Sequence, residues 1–204
     1  MAQSVQLILQ SSLFDRKRQI TITSEFIEFD NADLISGSPT KFMKSEILDW
    51  RYGVKGISGY RFNIGRIYLI DIRDRSGNSI KIRLKSIYGV RKKQLAEKYV
   101  QIANAIQENF FQDITRDYLH SFHESGETKL LGVTFNQEGV VWDKNRIPIP
   151  WLDVGTKSYS TYYSIFSISN PNNYKAFNYI NDWNTSVLYG ISRSILAEKN
   201  ILSG

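Results

Sequence analysis

The chain has 204 residues, 42% hydrophobic and 23% charged, with a formal net charge of +6, the composition of one large globular domain or two small ones rather than of a disordered chain. It contains no cysteine and two histidines, His120 and His123, which excludes disulfides, thiolate nucleophiles and zinc–thiolate sites and takes the usual residue away from most triads and metal centres. No apolar run approaches the ~18 residues of a membrane-spanning helix, and Met1–Gln10 lack a basic segment before their short apolar stretch, so a cytoplasmic location is expected.

Along the chain, Ile20–Phe29 alternates apolar and polar residues around a polar turn, Thr23-Ser24-Glu25, which reads as a β-hairpin. A strand ending in Ile47-Leu48-Asp49-Trp50 follows. Arg51 to Arg61 is rich in glycine and base, with Gly53, Gly56 and Gly59 between Arg51, Lys55 and Arg61, and reads as a hairpin loop. The clearest hairpin joins Ile67–Arg73 to Ile80–Lys85 across Asp74–Asn78, where Gly77-Asn78 supplies the positive φ angles of a tight turn. Alternation places Ile80, Ile82 and Leu84 on a buried face and Lys81, Arg83 and Lys85 on a wet one. Pairing Ile72 with Ile82 keeps the apolar sets together and sets Asp71 opposite Arg83 on the wet side. From Val90-Arg91 an apolar stripe runs through Leu95, Tyr99, Ile102, Ile106, Phe110, Ile114, Tyr118 and Phe122, predicting one long helix, or two with a break near Phe110-Phe111.

The later part repeats this layout. Val133–Trp142 matches Ile20–Phe29 at an offset of 113, Trp151-Leu152-Asp153-Val154 matches Ile47–Trp50 at 104, and Tyr189–Lys199 matches Tyr88–Lys98 at 101. Three matches in order favour a duplication with shorter loops in the second copy. Tyr162–Ile168 and Tyr174–Ile180 flank Asn170–Asn173 as a further hairpin, and Asn184 or Thr185 caps a last helix through Val187, Leu188, Ile191, Ile195 and Leu196.

The predicted architecture is mainly β with C-terminal helices, in three parts: residues 1–110, a helical connector 111–125 and a smaller unit 126–204. The hairpins Ile20–Phe29 and Asp71–Lys85, the strand ending at Trp50 and the helix 91–110, with Val133–Trp142, Ile149–Val154 and the helix from about 185, resemble the pleckstrin-homology-like (PH-like) superfold in tandem. The details look like those of the bacterial PH-like proteins of unassigned role. The resemblance implies β-barrel or sandwich units of about seven strands, each closed by an amphipathic helix, and a role in binding rather than catalysis. An OB-like barrel fits less well, because both closing helices follow their strands. The basic pair with which phosphoinositide-binding members grip phosphate in the first hairpin is missing, since the corresponding turns are Thr23-Ser24-Glu25 and Asn136-Gln137-Glu138.

Charge is uneven: residues 1–110 carry 18 basic and 11 acidic side chains, a balance of +7, and the rest balance to −1. An anionic partner would therefore meet the first unit. Arg51, Lys55, Arg61, Arg66, Lys81, Arg83 and Lys85 are its candidate contacts, with the glycine-rich 51–61 stretch as a possible anion nest; the competing reading is a solvated surface. Tyr52, Tyr60, Phe62 and Tyr68 interleave with Arg51, Arg61, Arg66 and Arg73 in the manner of a single-strand binder, but sheets are rich in aromatics for packing alone, and nucleic acid is not the expected partner. Asp113, Asp117, His120 and Glu124 line one helical face, yet lie opposite Phe110, Ile114, Tyr118 and Phe122, where an amphipathic helix must be polar; no metal, cofactor or catalytic group is assigned. The expected function is a non-enzymatic interaction or scaffolding module for a protein or peptide, with anion or lipid-headgroup binding through the basic first unit, and so a membrane surface, as the alternative.

Overall fold

The computed structural model describes residues 4–10, 15–31, 38–60, 62–142 and 145–201. The chain divides into two units, Met1–Phe111 and Gln112–Gly204. The division falls after Phe111, so the helix read as a connector belongs to the second unit.

In the first unit, β1 (Val5–Leu9), β2 (Arg18–Ile22), β3 (Phe26–Phe29) and β4 (Thr40–Met43) form an antiparallel sheet in sequence order. A single 3-10 turn, Lys44–Glu46, then starts a second sheet of β5 (Ile47–Ser58), β6 (Asn63–Asp74) and β7 (Ser79–Ile87). Among the described residues no sheet closes into a barrel; the chain leaves one ladder at Met43 and opens another at Ile47. Alternation of β-branched and charged residues dictates which side of each strand is buried. Ile20, Ile22, Ile27 and Phe42 line the inner face of the first sheet, and Ile70, Ile72, Ile80, Ile82 and Leu84 that of the second. Helix α1 (Lys92–Ile106) packs against β1, β2, β6 and β7. It passes through a π-helical turn, Gln107–Phe111, that buries Phe110 and Phe111. Phe111 stacks on Trp50 with ring centroids 4.7 Å apart, and the first unit runs through both phenylalanines.

The second unit opens with α2 (Gln112–Ser125) and repeats the element order. β8 (Glu127–Leu130), β9 (Val133–Asn136), β10 (Gly139–Trp142) and β11 (Asn145–Pro150) form one sheet. A 3-10 turn, Trp151–Asp153, leads to β12 (Val154–Ser158), β13 (Tyr162–Ser167) and β14 (Tyr174–Asn178), and α3 (Thr185–Glu198) closes the unit. α2 packs on α3 and β8. Tyr163 is buried and donates its hydroxyl to Ser192 Oγ at 2.5 Å, while Ser192 donates to the Leu188 carbonyl at 2.8 Å. Burial raises the Tyr163 hydroxyl to about 12.

The offset of 113 holds in detail. Ile20 faces Phe29 and Ile22 faces Ile27, as Val133 faces Trp142 and Phe135 faces Val140. Thr23 Oγ1 accepts the amides of residues 25 and 26, and Asn136 Oδ1 those of 138 and 139. The other two matches are corrected. Ile47 corresponds to Val154, each following a 3-10 turn, and Arg75 N–H donates to Glu46 O at 2.9 Å as Ile168 N–H does to Asp153 O at 2.8 Å. Leu95–Lys98 lies in the first turns of α1 but Leu196–Lys199 at the end of α3. The equivalent helix starts are instead Arg91 and Asn184, both left-handed, with φ 53° and 61°.

The register of the central hairpin is also corrected. Ile72 faces Ile80, Ile70 faces Ile82 and Asp71 faces Lys81. Asp74 N–H donates to Asn78 O at 3.0 Å, closing the loop two residues tighter than the 72–82 pairing requires. A shift of two leaves every side chain on its expected face. Gly77 alone in that loop takes a positive φ, 88°; Asn78 instead donates its side-chain amide to Asp74 Oδ2 at 2.9 Å.

Candidate functional site

Cross-strand pairing puts the outer face of the β5–β6–β7 sheet in rows: Asp49–Arg73–Ser79, Arg51–Asp71–Lys81, Gly53–Leu69–Arg83, Lys55–Ile67–Lys85 and Ile57–Gly65–Ile87. Arg51, Lys55, Lys81, Arg83 and Lys85 are thereby brought onto one face. Arg66 is not: it pairs with Gly56 and Ser86 on the opposite side, in line with buried Tyr68 and Leu84. Arg61 lies outside the described residues.

Asp71 is the centre of this face and is buried, not wet. Arg51 Nε donates to its Oδ2 at 3.0 Å, and Arg83 Nη1 lies 2.5 Å from its Oδ1. Arg73 pairs with Asp49 in the next row, its Nε 2.8 Å from Asp49 Oδ2. The carboxylates thus hold three arginines flat against the sheet. Lys55, Lys81 and Lys85 are exposed and form no ion pair among the described residues, so they carry most of the net positive charge of the face.

The stretch 51–58 is strand, not loop, and the anion nest fails with that reading. Gly53 and Gly56 sit in the ladder opposite Leu69 and Arg66, where strand pairing orients their backbone groups. The interleaved aromatics separate in the same way. Tyr68 is buried and Tyr52 stacks on Trp50 at 4.4 Å, so both serve packing, whereas Tyr60 and Phe62 stand in solvent at the hairpin turn. On α2, Asp113 accepts from Arg116 Nη1 at 2.9 Å and His120 Nε2 lies 3.1 Å from Glu124 Oε1. No group of three or more histidine or acidic side chains converges among the described residues.

The sequence gives no charge signal for the corresponding face of the second unit. Phe166 stands where Arg73 does, and Tyr174, its partner across the ladder, where Ser79 does. Gly155 replaces Asp49, and a Cβ there would come within 2.5 Å of the Phe166 ring, so the glycine lets that ring lie over the strand. Tyr159 stacks on Tyr162 at 4.5 Å. Desolvation raises the Tyr162 hydroxyl above the ordinary tyrosine value, with the neighbouring Tyr159 and Tyr174 adding to the shift. Tyr174 is 60% exposed and Tyr159 41%. One sheet position therefore carries an arginine–aspartate lattice in the first unit and an aromatic patch in the second.

Asp153 organises the loop beneath this patch. Its Oδ2 accepts the hydroxyls of Ser167 and Ser169 at 2.5 and 2.8 Å, and its Oδ1 the Ser169 amide at 2.6 Å. The Ser167 hydroxyl bond, followed by the Ser169 amide, holds its carboxyl below the ordinary aspartate value. Comparison of the chain with protein-family models, curated proteins and solved structures finds no match.

Proposed function

We propose that the protein is a non-enzymatic, cytoplasmic interaction module of two PH-like units in tandem, and that its partner is a protein or peptide received on the outer face of β12–β13–β14. The observation that carries this reading is the patch of Tyr159, Tyr162, Phe166 and Tyr174 on a sheet face. Tyrosine and phenylalanine are enriched in protein interfaces because they bring large contact area at low entropic cost, with a hydroxyl for orientation. The shared element order and the turn equivalences at an offset of 113 support the tandem reading.

Panning a peptide library against the full chain tests the assignment. Peptides selected by the wild type should lose at least about tenfold in affinity on Tyr162→Ser with Tyr174→Ser, the loss of roughly one interface hot spot. Equal binding by both proteins would refute the placement. A second reading, anion binding by the basic face of the first unit, is favoured by Lys55, Lys81 and Lys85 standing together without carboxylate partners among the described residues.

A further inference from the structure

We infer that the end of the β5–β6 hairpin is a docking element for an anionic bilayer surface; this rests on the second reading above and commits it to one partner. The turn is closed by Gly59 N–H donating to Phe62 O at 2.8 Å. Its two aromatic residues point to solvent, Tyr60 being 95% and Phe62 63% exposed. Tyr88 N–H donates to Ile64 O at 2.8 Å, which fastens the end of β7 to the start of β6 and adds Tyr88, 75% exposed, to the same end of the sheet. Ile57 and Ile87 form the first row behind them.

Cations follow immediately. The next row is Lys55–Ile67–Lys85, with Arg83 one row further and Arg66 on the reverse side. Lys92 and Lys93, both exposed, come just after Tyr88 in the chain. Aromatic residues at the extremity and lysines behind them, about 7 Å past the Ile57–Ile87 row along the strands, are the order in which a bilayer presents its own layers, the acyl boundary first reached by the tip and the phosphates level with the bases. The long lysine stems let each ammonium reach the phosphate plane while the tip enters. The +7 balance of residues 1–110 complements an anionic leaflet, where each lysine near the surface contributes about fivefold in partitioning. An acidic protein would meet the same lysines, and the response of the aromatic tip separates it from a bilayer.

The full chain should be floated with vesicles of phosphatidylcholine alone and of an equimolar mixture with phosphatidylglycerol, with soluble poly-glutamate binding measured in parallel. Wild type should float with the anionic vesicles only. Tyr60→Ser with Phe62→Ser should lower that partitioning roughly tenfold and leave poly-glutamate binding unchanged. Lys55→Glu with Lys85→Glu should lower vesicle binding by at least about 25-fold and weaken poly-glutamate binding as well. Wild type that binds poly-glutamate but floats with neither vesicle would overturn the bilayer proposal and leave the anionic reading standing. A tip variant that floats as wild type does would also overturn it. Failure to bind either ligand would remove both.

Discussion

A single residue decides whether the basic face of the first unit is flat or ragged. Asp71, 3% exposed, takes one arginine from the strand on each side, and without it Arg51 and Arg83 would lose the carboxylate they share. Asp71→Ala should therefore destabilise the first unit by about 2 kcal/mol, less than a fully buried pair because both arginines keep some contact with water; chemical denaturation measures it, and a change within experimental error would show the lattice to be dispensable. Asp153 plays the corresponding organising part in the second unit through a carboxylate whose pKa is lowered on folding. A lowered folded value means the group favours the fold while pH stays above the ordinary aspartate value of 3.8, and that contribution drains away as pH falls below it toward the folded value. Acid titration of the thermal midpoint should show this loss in wild type and a shallower fall in Asp153→Asn. Identical acid limbs would contradict the role given to the Ser167 and Ser169 bonds.

At the scale of elements, the sequence made strand faces legible and strand partners less so. Period-2 alternation in Ile80–Lys85 fixes inside from outside with no knowledge of the partner, and Ile80, Ile82 and Leu84 are indeed buried. The partner depends on how the five residues from Asp74 close, and an Asp74–Asn78 backbone bond is not a property of composition. Glycine spacing at 53, 56 and 59 misled for a related reason: a strand that continues past the core edge has exposed, glycine-tolerant positions and looks like a loop. In Tyr162–Ser167 both alternating sets, Tyr162-Ser164-Phe166 and Tyr163-Ile165-Ser167, contain aromatic or apolar residues, so alternation alone could not say which aromatic faces water. The long helical stripe was legible as helix, but not where its loyalties change. Phe110 and Phe111 lie in the first unit, whereas Phe122 lies edge-on to Trp151 at 6.3 Å, and a Cβ on Gly190 of α3 would come within 3.0 Å of Thr115, a close helix–helix approach. α2 is thus part of the second unit, and residues 126–204 expressed without it should melt at lower temperature and less sharply than 112–204, the small unit having little core to spare. Coincident sharp transitions for the two fragments would show that α2 is not needed for the fold.

For the molecule as a whole, the two units share an order of elements and differ in what the same sheet face offers. The +7 and −1 balances of the two parts of the chain announced half of that difference. The other half, phenylalanine in place of arginine, glycine in place of aspartate and tyrosine in place of serine, emerged only when register aligned Phe166 with Arg73, Gly155 with Asp49 and Tyr174 with Ser79. We propose the aromatic face of the second unit as a recognition surface. Amide chemical-shift mapping on the full, isotope-labelled chain, titrated with a peptide selected by panning, locates the surface that binds. The predicted result is a set of saturable shifts centred on residues 155–178 that disappears in Tyr162→Ser with Tyr174→Ser, while the amides of β5–β7 stay unmoved. Shifts centred on another surface, or retained in full by the tyrosine variant, would contradict it.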